Sequence, residues 1–246
     1  MRARPGAHFI AGATGYVGSA LVRELRRRGA PVVAHVRPGS SGAERWIERF
    51  EAEGALVDRS PWGGDMAAVF SRRGVGTVYA LLGTTRARGA AARREGREEN
   101  YETVDYGLTM ELVRAAESRV PDVRVLYLSS MGADRPGRNA YLSARARVEA
   151  YLHGSRVPHL VVRPAFITGP NRVESRPLER SASVVVDGVL AVAAAFGASG
   201  LRARYGSMTN DELAEALADL GEHGEFDGRV LDPGALRARA TLEPRS

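Results

Sequence analysis

Three glycines at even spacing, Gly12, Gly15 and Gly18, lie between a short apolar run, His8–Ala11, and an amphipathic stretch that begins at Val17. Thr14, Tyr16 and Val17 fill the gaps between them. Glycine tolerates positive φ and lets a backbone pass close to another group. A helix that starts directly after such a turn presents unpaired N–H groups and the positive end of its dipole. A strand, a glycine turn and a helix in that order form a cradle for a pyrophosphate, although an ordinary strand-to-helix turn could carry the same glycines. The next chemical signal follows the run Pro31–His35, where Arg37 is succeeded by Pro38 and Gly39. In a dinucleotide-binding sheet this turn reads the adenosine ribose, with an acid for the free hydroxyl of NAD or an arginine for the 2′-phosphate of NADP. The turn contains no acid, so Arg37 points to NADP, with a preference of about 1–3 kcal/mol from charged hydrogen bonds to one phosphate. Arg37 also reads as a plain surface residue. Asp58, after the third apolar run, either accepts a hydrogen bond from an adenine amino group or caps the turn before Pro61.

These groups need strands and helices in alternation to position them. Short β-rich runs fall at His8–Ala11, Pro31–His35, Ala55–Val57, Thr77–Leu82, Arg124–Ser129, His159–Val162 and Arg229–Leu231. Helical patterns lie between them, at Val17–Arg28, Gly42–Glu53, Met66–Arg73, Tyr101–Ser118, Tyr141–His153 and Asp211–Leu220. Such alternation predicts an α/β fold: a Rossmann-type, doubly wound parallel sheet in one domain spanning residues 1–246. Two stretches depart from it. Residues 86–100 (RARGAAARREGREEN) read as a charged loop after a strand's C-terminal end, either facing a ligand or simply solvated. Residues 164–205 read as a small C-terminal substrate-facing cap.

The 246 residues are 44% hydrophobic and 26% charged, enough to bury a full core without disulfide or metal staples. With no cysteine, thiolate catalysis and cysteine-ligated metal are excluded, and a reducing compartment, the cytoplasm, is the expectation. The five histidines show no metal-ligand spacing, so no metal is expected. The net charge of +6 comes from arginine alone, spread along the chain and interleaved with acids, and no nucleic-acid motif accompanies it. The most apolar window, Val184–Leu201, is interrupted by Asp187 and three glycines and reads as a buried helix rather than a membrane span. No nucleic-acid or membrane partner is expected.

Several strings fall in the order of a known family. GATGYVG at the start, LYLSSMGAD at the fifth run, Tyr141 to Arg145 (YLSAR) on the next helix and VVRPAFITGP at the sixth run resemble the short-chain dehydrogenase/reductase superfamily in its extended and atypical branches. LLGTTR after the fourth run, with SSMGAD and RPAFITGP, looks most like the oxidoreductase group that includes the Tat-interactive protein and its bacterial relatives. The resemblance implies NADP bound along the C-terminal edge of the sheet. Tyr141 matches the family's catalytic tyrosine, which exchanges a proton with the substrate oxygen. A neighbouring cation must lower the phenol's pKa of about 10 before it can act as a base near neutrality.

Arg145 stands four residues on, on the same helix face, where the family usually has lysine. Arginine keeps the charge, but its planar head does not relay a proton. Ser130 is the candidate for the third catalytic position, although Met131 falls where extended members carry the hydroxyl. Gly83, Thr84, Ser129, Pro164 and Phe166 are implied to line the cofactor. The activity implied is reduction of a small carbonyl or enone compound by a monomer or homodimer. A non-catalytic NADP-binding redox sensor is the alternative, and a nucleotide-sugar epimerase is disfavoured by the short region after Gly169.

Overall fold

The computed structural model describes residues 6–40, 42–165, 167–168, 208–222 and 227–240. Seven strands form one parallel sheet: β1 (Ala7–Ala11), β2 (Val32–His35), β3 (Leu56–Asp58), β4 (Val75–Ala80), β5 (Arg124–Leu128), β6 (His159–Val162) and β9 (Arg229–Leu231). Their order, β3-β2-β1-β4-β5-β6-β9, reverses direction between β1 and β4. Ligands of open α/β sheets bind at the strand C-termini beside such a switch point. The helices are α1 (Tyr16–Arg27), α2 (Ala43–Ala52), α3 (Met66–Arg73), α4 (Arg86–Arg94), α5 (Thr109–Glu117), α6 (Ala140–Gly154), α7 (Asn210–Glu222) and α8 (Pro233–Ala240). A π-helix, Tyr101–Leu108, leads into α5. Two short strands, β7 (Ile167–Thr168) and β8 (Met208–Thr209), pair with each other.

Side-chain alternation along each strand explains the double layer. Ile10, Ala34, Tyr79, Leu126 and Leu160 join α1, α2 and α7 on one face. Their neighbours Phe9, Val33, Val78, Val125 and Val161 join α3, α5 and α6 on the other. Strands covered on both faces are apolar at most positions, which is why they read as nearly continuous runs in the sequence, with buried polar residues such as His8, Thr77 and Arg124 among them. The seven expected strands and the six helices expected between them occur, with ends moved by up to two residues and the first half of the fourth helix wound as the π-helix. The charged stretch expected as a loop instead contains α4, in which Gly89 and Ala92 are buried. Most of the expected cap, and the apolar window Val184–Leu201, lie outside the described residues, as does Phe166. Among the described residues no helix is long and apolar enough to cross a membrane.

Candidate functional site

The glycine turn joins β1 to α1 at the switch point. Gly12 has φ +86°, and a Cβ there would stand 2.8 Å from the Leu81 carbonyl oxygen after β4. A Cβ on Gly18 would collide with the Gly12 carbonyl oxygen, at 2.1 Å. Only glycine at both ends lets the turn nest between β4 and the first turn of α1. Gly15 differs, with an ordinary φ of −77° and a Cβ position 3.0 Å from the same oxygen. It serves as the N-cap of α1 without a side-chain cap, and the first turn carries no acid, whereas α3 and α6 are capped by Asp65 and Asn139. Thr14, Tyr16 and Val17 complete the turn, with Val17 buried. The helix start without a side-chain cap, preceded by glycines, fits a pyrophosphate group.

On the β2 side of this turn, Arg37 Nη1 donates to Glu99 Oε1 at 2.8 Å. The acid that the ribose-reading turn lacks in sequence is supplied from 62 residues away, by the segment between α4 and the π-helix. Burial alone would raise the Glu99 carboxyl, but the guanidinium groups of Arg37 and Arg97 hold it below its ordinary value. A cavity of about 350 Å³ opens here, lined by Arg37, Pro61, Trp62, Glu99, Val104 and Leu108 among others. Asp58 is buried, and its Oδ1 accepts from Ser60 N–H at 3.0 Å, so it caps the turn before Pro61.

On the other side of β1, Arg145 is buried at the C-terminal ends of β4 and β5. Its Nη1 donates to the Leu128 carbonyl at 2.7 Å, and its Nη2 donates to the Leu82 carbonyl at 2.9 Å and to Asp105 Oδ1 at 2.8 Å. Gly83 makes room for it, since a Cβ there would meet Nη2 at 2.7 Å. Asp105, on the π-helix, is fully buried and also accepts from the Thr84 N–H at 3.0 Å. Burial pushes the Asp105 carboxyl above the usual carboxylate range, against the pull of Arg145. The Tyr127 phenol, 3.4 Å from Arg145 Nη1, is pushed up to about 12 by burial. The half-buried Tyr141 ring lies 5.1 Å from the Arg145 guanidinium carbon and 5.5 Å from the Tyr101 ring. Tyr141 and Arg145 are therefore brought together, but through the phenol ring, with the guanidinium hydrogen bonds directed at Leu82, Leu128, Asp105 and Tyr127.

Ser129 and Ser130 diverge. Ser129 is buried and its hydroxyl donates to Glu149 Oε1, while Ser130 is half-buried with its hydroxyl 3.3 Å from the Met131 carbonyl oxygen. Glu149 also accepts from Arg163 Nε at 3.0 Å, which ties the end of β6 and Pro164 to α6. Asp105, Glu99 and Glu149 were not foreseen from the sequence. Asp105 carried a faint signal, because Asp105, Thr109, Leu112 and Ala116 fall on one helical stripe and all are fully buried. Glu149 follows Tyr141 and Arg145 at four-residue steps on α6.

Comparison with known proteins agrees with this fold. The Aspergillus terreus protein named "Protein fmp52-1, mitochondrial" is 31% identical over 184 residues, covering 72% of each chain. This name corrects the cytoplasmic expectation: lack of cysteine removes one chemistry but specifies no compartment, and the relatives are named mitochondrial. A solved Bacillus halodurans structure designated an NAD-dependent epimerase/dehydratase superposes with TM-score 0.67 at 18% identity, covering 96% of this chain and 99% of its own. A 3-oxoacyl-[acyl-carrier protein] reductase from Brucella melitensis, solved in complex with NAD, gives 0.62 at 18% identity over 97% and 99%. At that identity the two structures establish the Rossmann-like fold alone. The model of the NAD dependent epimerase/dehydratase family matches residues 8–186, most of the sheet and the whole glycine turn, and the chain belongs to that family.

Proposed function

We propose that the chain is an NADP(H)-dependent reductase of a small carbonyl or enone compound, of the atypical short-chain dehydrogenase type to which the Tat-interactive group belongs. The observation that carries this reading is the stacking of Tyr141 on the buried Arg145 cation, at the same switch-point edge as the uncapped glycine turn. The turn Gly12–Gly18 would hold the pyrophosphate, Arg37 on its β2 side the ribose phosphate, and the Gly83–Thr84 backbone after β4 the diphosphate or ribose on the other side. A bound nicotinamide supplies the hydride. Tyr141 donates the proton to the substrate oxygen, and Ser130 orients that oxygen. Arg145 is a positioning residue: its hydrogen bonds to Leu82, Leu128 and Asp105 fix its charge beside the Tyr141 ring.

The same observation supports the alternative of a redox sensor that binds cofactor without turnover, because a guanidinium committed to two carbonyls and a carboxylate relays no proton. Turnover separates the two. A reductase oxidises NADPH with some members of a panel of aldehydes, ketones and quinones, and Tyr141→Phe lowers that rate about 100-fold while leaving NADPH affinity unchanged. Binding without oxidation across the panel, unaffected by Tyr141→Phe, establishes the sensor.

A further inference from the structure

Arg37 stands where a ribose phosphate would be read, yet its guanidinium already holds an anion. Its side chain is 36% exposed and that of Glu99 is 15% exposed, so the carboxylate is the inner partner and the cation the outer one. Arg97 Nη1 donates to the same Glu99 oxygen, and Arg97 Nη2 donates to Glu95 at 2.6 Å. The position of Glu99 is built into the backbone. A Cβ on Gly89 would lie 2.5 Å from the Glu99 carbonyl oxygen, so glycine in α4 permits this close approach. The next residue, Asn100, starts the π-helix with a reciprocal capping box: Thr103 N–H donates to Asn100 Oδ1 at 2.9 Å and Asn100 N–H to Thr103 Oγ1 at 3.0 Å. Helix, glycine contact and cap together place one carboxylate against the phosphate-reading arginine, at the mouth of the cavity beside Trp62.

We propose that Glu99 is a specificity-determining residue whose carboxylate competes with the 2′-phosphate of NADP(H) for Arg37 and so reduces selectivity over NAD(H). This rests on the cofactor reading given above. A guanidinium binds carboxylate and phosphate alike, and two anions beside one arginine repel each other, so a carboxylate on Nη1 disfavours a phosphate at the same group. The exchange is feasible because Arg37 is partly exposed and because Glu99, once released, keeps Arg97 as its partner. NAD(H) brings a hydroxyl rather than an anion to this position and has no need to displace the carboxylate. Neutralising Glu99 leaves Arg37 and Arg97 both without their shared counter-ion, which favours a phosphate and is indifferent to a hydroxyl.

The test is Glu99→Gln in the full chain, with NADPH and NADH affinities measured separately by calorimetry. NADPH binding tightens about tenfold and NADH binding stays within about twofold. The gain disappears in the double variant Glu99→Gln/Arg37→Ala. Unchanged NADPH affinity, or equal tightening of both cofactors, overturns the competition. Weakened NADH binding overturns it as well, because Glu99 would then be accepting a hydrogen bond from the ribose hydroxyl. If neither cofactor binds the wild type or the variant, the cofactor site itself falls and the inference with it. If both cofactors bind but their ratio does not respond to Glu99, only the inference falls.

Discussion

Arg37 and Arg145 lie on two sides of β1 along one sheet edge, and each holds a carboxylate at 2.8 Å. Their surroundings make the two pairs different in kind. The side chains of Arg145 and Asp105 are 6% and 0% exposed, and the backbone carbonyls of Leu82 and Leu128 also accept from the guanidinium. Removing one partner there leaves an unpaired charge in a medium that solvates it poorly. The Arg37–Glu99 pair borders a cavity with its arginine partly exposed, and a pair that water and ions reach contributes only about 0–1 kcal/mol. Equal distances therefore carry unequal consequences: the buried pair fixes the site, and the bordering pair can respond to a ligand.

The largest effect that tests this contrast is at Asp105. Asp105→Ala strands the Arg145 cation and also removes the acceptor of the Thr84 N–H. Denaturant unfolding should show a loss of about 3–5 kcal/mol. A loss under about 1 kcal/mol would mean that water reaches Arg145, and the distinction between the two pairs would collapse. Arg145→Lys comes next. An ammonium group is a compact point charge and cannot span Leu82, Leu128 and Asp105 as the planar fork does. Stability should fall by about 2 kcal/mol, the order expected when charged hydrogen bonds to buried acceptors are lost. Although lysine is the family's usual residue at this position, the substitution should not raise activity. An Arg145→Lys protein as stable as the wild type would indicate that the charge alone holds the cluster, without the fork.

The same contrast explains what could be read from the sequence. Strands buried on both faces leave nearly continuous apolar runs, and β6, buried at all four residues, falls at the expected residues. The glycine turn was legible because much of its constraint is local: Gly15 N–H donates to the Gly12 carbonyl oxygen, and Gly18 packs against that same oxygen. The burial of Arg145 was not legible, because α6 places Arg145 and Glu149 among its buried positions with Leu142, Val148 and Leu152, which blurs the helix's apolar stripe. The α4 segment resembles a solvated loop because its charges hide the small residues, Gly89 and Ala92, that pack inward. That Arg37 has no acid beside it is true of the chain order and false of the fold. A partner 62 residues away leaves no local pattern.

The smallest effect is at Arg37, and it tests the contrast from the exchangeable side. Arg37→Ala removes a cation whose carboxylate partner keeps Arg97, so no buried charge is stranded. Unfolding free energy should change by less than about 1 kcal/mol, several times less than for Asp105→Ala. Binding should respond where stability does not. NADPH affinity should fall about tenfold, the worth of one charge-assisted phosphate contact already weakened by competition from Glu99, and NADH affinity should hardly move. High salt should narrow the wild-type difference between the two cofactors, since a partly exposed phosphate contact is screened, and should leave the variant unaffected. A stability loss comparable to that of Asp105→Ala would show that Arg37 is as structural as Arg145. Equal loss of NADPH and NADH binding would show that it shapes the cavity rather than reading a phosphate.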